Sequence, residues 1–140
     1  MVFVENVNYL TVIVAAIVSF IFGMLWYSPI LFGNLWMKLN NLSKKNIDQS
    51  KKKGMAKMMI ISFVATIITA CSLSLVLDAF AVASITSALY VGFLIWLGFL
   101  ASTTLIGSVL WDNKPFSLFI LNGTYWLINL EIISIVLFLM

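Results

Sequence analysis

Few side chains in this sequence are equipped for chemistry, and they are scattered. Histidine is absent, which removes both the usual base at neutral pH and the commonest transition-metal ligand. The single cysteine, Cys71, lies in an apolar run. It permits no disulfide within the chain, and with the scattered carboxylates it cannot close a zinc site. Glu5, Asp48, Asp78, Asp112 and Glu131 are expected to be spread over both faces of a membrane, which argues against a paired carboxylate centre. Neither a glycine-rich phosphate loop nor a G-x-S-x-G elbow occurs. Ser28 falls on a sharp turn with no base near it in sequence. No catalytic, cofactor-binding or metal site is therefore expected, and the chain is not expected to be an enzyme.

Glu131 is the exception that asks for a role. Counted from Phe116, it stands about 22 Å along a helix that must cross about 30 Å of hydrocarbon. An intramembrane carboxylate usually faces a bundle interior or a cavity, and it often marks an ion or proton path. The plainer reading is a protonated or snorkelling side chain bonded to Ser or Thr. Asn122, Tyr125, Trp126 and Asn129 share one face of the same helix. Glu131 points to roughly the opposite side, with Thr124, Leu127 and Ser134 as neighbours. Glu131, Asn122, Asn129 and Tyr125 are the candidate polar site inside the membrane.

The elements that position these groups are apolar helices. Of 140 residues, 63% are hydrophobic and 9% charged, with a mean hydropathy of +1.12; soluble domains carry about a quarter charged residues. The expected fold is an all-α integral membrane protein, a single domain over 1–140 with four spans near 8–27, 55–77, 84–110 and 116–140. The first span is expected to be retained rather than cleaved. Glu5 replaces a positive n-region, and no small-residue cleavage site precedes Trp26. Thr11, Ala15, Ser19 and Gly23 recur every fourth residue, as do Ser62, Thr66, Ala70 and Ser74 in the second span. Such stripes let helices approach closely in lipid. Asp78 is either a cap for the third span or a residue in water. The third span is the longest and is expected to tilt.

Between the first two spans lies Gly23-Met24-Leu25-Trp26-Tyr27-Ser28-Pro29-Ile30-Leu31-Phe32-Gly33-Asn34-Leu35-Trp36-Met37. Trp26 and Tyr27 are expected at the headgroup level, and Pro29 ends the helix by biasing Ser28 out of helical geometry. Leu31, Phe32, Leu35, Trp36 and Leu39 then recur at helical spacing, with Gly33, Asn34 and Lys38 facing the other way. This pattern predicts a short amphipathic helix in the interface. Ser43 caps a further helix from Lys44.

The net charge of +3 is too localised for nucleic acid, and no arginine is present to fork onto a base or phosphate. Lys38, Lys44, Lys45, Lys51, Lys52, Lys53 and Lys57 lie in the first connection, and Lys114 lies in the third. These connections share one side of a four-span chain, so that side is expected to be cytoplasmic, with both termini outside a cell membrane. Lys51, Lys52, Lys53 and Lys57 are also candidate contacts for anionic lipid, although setting topology is the stronger reading.

The long motif above resembles the opening signature of a family of small four-span membrane proteins catalogued as a domain of unknown function, numbered seventeen sixty-one. Trp96-Leu97-Gly98-Phe99 is similar to the family in the third span. So are Lys114-Pro115, Leu118-Phe119 and Asn122-Gly123-Thr124-Tyr125-Trp126 in the fourth. The resemblance covers nearly the whole chain and implies four spans and a membrane location, but no activity. The lysine-rich loop and Glu131 depart from the usual pattern. Two function classes follow. One is a non-enzymatic membrane module that self-associates and binds lipid or a partner protein. The other is a homo-oligomeric channel or carrier for a small solute, ion or proton.

Overall fold

The computed structural model describes residues 7–140, apart from the side chains of Ser50, Lys51 and Lys53. Glu5 and the lipid-contact roles expected of Lys51 and Lys53 lie outside the described residues. Within them the protein is all-helical: α1 (Tyr9–Trp26), α2 (Gly33–Leu39), α3 (Lys44–Ala79), α4 (Ile85–Trp111) and α5 (Phe116–Leu139). Four segments are long and apolar enough to cross a membrane. They are α1 with 18 residues, Gly54–Ala79 of α3 with 26, α4 with 27 and α5 with 24.

Local chemistry sets the helix ends. The Asn8 side chain accepts from the Thr11 N–H at 3.3 Å and opens α1. Ser43 opens α3 in the same way, accepting from the Asn46 N–H at 3.2 Å. At Gly54 the backbone takes φ +153° and ψ 44°, a conformation only glycine adopts without strain. There α3 breaks into a polar segment and an apolar one. Ser84, not Asp78, caps α4, accepting from the Ser87 N–H at 3.1 Å. Asp78 is exposed, because α3 runs past it to Ala79 before the chain turns. Beyond Ile95, α4 widens into π-helical turns at Trp96–Ala101 and Leu105–Trp111.

α1 packs against α5 and α3, and α4 packs against α5. Lipid offers helices no hydrophobic reason to associate, so close approach and dispersion must hold them together. Small residues provide that approach. Thr11, Ala15 and Ser19 of the α1 stripe are buried, and Ala15 joins Ala70, Leu73, Leu77, Ala88, Leu130 and Ile133 in one core. The α3 stripe behaves differently. Ala70 is buried, but Ser62 is exposed and Thr66 is bonded back to the Ser62 carbonyl at 2.8 Å. Near Gly54 this helix stands away from α1, and its hydroxyls line an open recess instead of a helix contact. Leu10, Ile21, Ile60, Ile68 and Phe99 are exposed on the outer faces, as lipid requires.

Candidate functional site

The turn after α1 folds back on the bundle. The Phe32 N–H donates to the Trp26 carbonyl at 3.0 Å, and the Leu31 and Gly33 N–H groups donate to the Ser28 carbonyl at 3.1 and 2.9 Å. The Ser28 hydroxyl donates to the Leu25 carbonyl at 2.7 Å. A turn closed this way needs no water for these groups. Gly33, expected to face away from the apolar side, is buried instead. A side chain there would meet the Tyr27 and Ser28 carbonyls.

This turn brings the two aromatic motifs together. Trp26 lies against Phe32, with ring centroids 4.5 Å apart, and against Tyr125 at 6.1 Å. It is 8% exposed, so protein rather than lipid or water covers most of it. The reason is α5, whose Tyr125 stacks on Phe22 at 5.6 Å and meets Tyr27 edge-on at 5.0 Å. The Tyr27 hydroxyl donates to Asn122 Oδ1 at 2.8 Å. Tyr27 and Trp36 meet nearly at right angles, 6.0 Å apart.

Next to this cluster is a recess of about 730 Å³ between α2, the first turns of α3 and the start of α5. Its walls include Tyr27, Pro29, Trp36, Asn122 and Trp126 from the signature motifs, and Lys44 and Asp48 from α3. A second recess, of about 480 Å³, is lined by Met24, Met55, Met58 and Met59, and it shares Tyr27 and Trp126 with the first. Lys52 and Lys57 are exposed and line neither. Lys44 is the lysine in the wall of the first recess. Its position at the first turn of α3 is visible in the sequence, but not the fold that carries it over the signature turn.

The candidate intramembrane residues separate into two groups. Asn122, Tyr125 and Asn129 face α1. Asn129, 2% exposed, accepts from the Ser19 hydroxyl at 2.6 Å. Glu131 lies on the other side, against α4, where a Cβ on Gly92 would stand 2.5 Å from its Oε1 and 2.9 Å from Ser134 Oγ. That oxygen is buried without a hydrogen-bond partner, while Ser134 donates to the Leu130 carbonyl at 2.9 Å. Trp96, on the same side, donates its indole N–H to the Gly123 carbonyl at 2.8 Å. Sequence reasoning missed the Ser19–Asn129 bond, although one partner was in the small-residue stripe and the other among the candidate polar residues. Among the described residues, no three His, Cys, Asp or Glu side chains come together to hold a metal.

A family profile described as "Protein of unknown function (DUF1761)" matches residues 10–138. No curated protein and no solved structure matches the chain.

Proposed function

The chain belongs to the DUF1761 family, proteins of unknown function, and from that starting point we propose that it is a non-enzymatic membrane module that holds a lipid at its cytoplasmic face. The observation that carries this reading is the signature-lined recess, open beside Trp36 and Trp126 and bordered by Lys44. It combines aromatic and apolar walls with a few polar groups, as small-molecule sites generally do. It also occurs where α1 ends and α5 begins, the depth at which headgroups begin. The lysine distribution supports a cell-membrane location with both termini outside and this recess inside. The outer face of α4 supports self-association. A methyl group added at Gly98 or Gly107 would meet nothing within 4 Å, and Ser102 and Thr103 beside them are exposed, a surface that suits close approach of a second copy.

The test is lipid retention by the full chain after extraction from vesicles, read by native mass spectrometry. Asn34 is exposed on the recess wall, so Asn34→Trp should fill the space without disturbing the core. Retention should fall several-fold; undiminished retention would show that the lipid sits elsewhere.

One observation favours the second reading, a homo-oligomeric conduit or carrier: the unpartnered Glu131 oxygen at the α4–α5 seam. Proton or solute flux in vesicles that is lost in Glu131→Gln, with folding intact, would support it. Equal flux from both proteins would remove Glu131 from any mechanism.

A further inference from the structure

We infer that the recess takes the zwitterionic headgroup of a phosphoethanolamine-type phospholipid, its phosphate on Lys44 and its primary ammonium on Asp48. This rests on the lipid-binding reading above and adds the chemistry of the headgroup. Lys44 and Asp48 are one helical turn apart at the start of α3, and both line the recess. Side chains at that spacing are neighbours, with about 5–6 Å between their Cβ atoms, and an ethanolamine linker separates a phosphate from its ammonium on the same scale. One cation and one anion in the same wall match a headgroup carrying both charges. An anionic headgroup would satisfy Lys44 and be repelled by Asp48.

The aromatic walls point the same way. Trp36, Trp126 and Tyr27 border the same space, and aromatic faces attract an ammonium. The phosphate has a second donor available. Asn122 accepts from Tyr27 through Oδ1, which leaves its amide nitrogen to donate at the wall. The lipid tail has a place as well. The methionine-lined recess adjoins across Tyr27 and Trp126, and unbranched thioether side chains adapt their shape to an acyl chain. A quaternary choline would gain the aromatic faces but has no N–H to donate to Asp48. A glycerol headgroup would have no ammonium at all.

The experiment uses the full chain in vesicles holding equal phosphatidylethanolamine, phosphatidylcholine and phosphatidylglycerol with identical acyl chains. Lipid retained after extraction is measured for wild type, Asp48→Asn, Asp48→Glu and Lys44→Gln. Both positions are exposed, so the variants should fold. Wild type should enrich phosphatidylethanolamine about tenfold over phosphatidylcholine, the ratio expected for one charged hydrogen bond. Asp48→Asn should erase the enrichment while lipid is still retained, and Asp48→Glu should keep it. Lys44→Gln should lower retention of all three lipids. Retention without headgroup preference, preference for phosphatidylglycerol, or enrichment that survives Asp48→Asn would overturn the headgroup assignment alone. Loss of all retention in wild type would overturn the lipid-binding reading with it.

Discussion

Ser19→Ala tests how the first and last spans are held together. The Ser19 hydroxyl donates to Asn129 Oδ1 at 2.6 Å, and the two residues are 1% and 2% exposed. Removing the hydroxyl deletes few packing atoms but leaves the Asn129 carbonyl without this donor, where water does not reach it. Hydrogen bonds between membrane helices average about 0.6 kcal/mol and reach about 1.7. The short distance and near-complete burial of this pair argue for the upper half of that range, about 1–1.5 kcal/mol. Asn129→Ala should cost more, about 2–3 kcal/mol, because it also leaves a cavity beside Ile133 and Leu130. The pairwise term comes from the cycle of wild type, both single variants and the double variant. Reversible unfolding in mixed micelles with increasing denaturing detergent gives each stability. In the Asn129→Ala background, Ser19→Ala should cost about 1 kcal/mol less than in wild type. A cost that is the same in both backgrounds, within about 0.3 kcal/mol, would refute the bond as a source of stability.

Gly23→Ala would bring a Cβ within 2.7 Å of the Tyr125 hydroxyl, so it should destabilise by about 1 kcal/mol or more. Tyr125→Phe should relieve much of that cost in the same unfolding assay, and no relief would mean that another contact is limiting. Gly54→Ala should cost about 1 kcal/mol or more because φ +153° is closed to alanine; an unchanged stability would show that the break in α3 is not required. Orientation is tested with Gln49→Cys and Asn113→Cys in a Cys71→Ser background. Both sites should resist an impermeant thiol reagent applied to intact cells, and labelling of both from outside would reverse the topology.

The helices themselves were legible because an apolar run bounded by caps and polar turns leaves little choice in lipid. Asn8 and Ser43 stand immediately before helices, Pro29 follows the end of α1, and Gly54 marks the point where α3 changes character. The packing partners were less legible. Trp26 and Tyr27 look alike as interfacial aromatics, and only the return of α5 through Tyr125 buries one and bonds the other to Asn122. Ser62 and Thr66 repeat the small-residue pattern of α1, but periodicity identifies a face and not what covers it. The π-helical turns of α4 leave no mark in a composition of glycine, hydroxyl and apolar residues. Lys44 and Asp48 read as ordinary loop charges until α3 is seen to begin beside the signature turn.

The unequal lengths of the membrane-crossing helices affect the surrounding bilayer. At the α-helical rise, the 18 residues of α1 reach about 27 Å, whereas the 27 residues of α4 reach at most about 40 Å. The first length matches the hydrocarbon thickness of about 30 Å with little to spare, whereas α4 is long enough to cross it tilted. Each ångström of mismatch costs a fraction of a kcal/mol. The difference between the two helices thus makes the tilt of α4 the quantity on which a change in bilayer thickness acts.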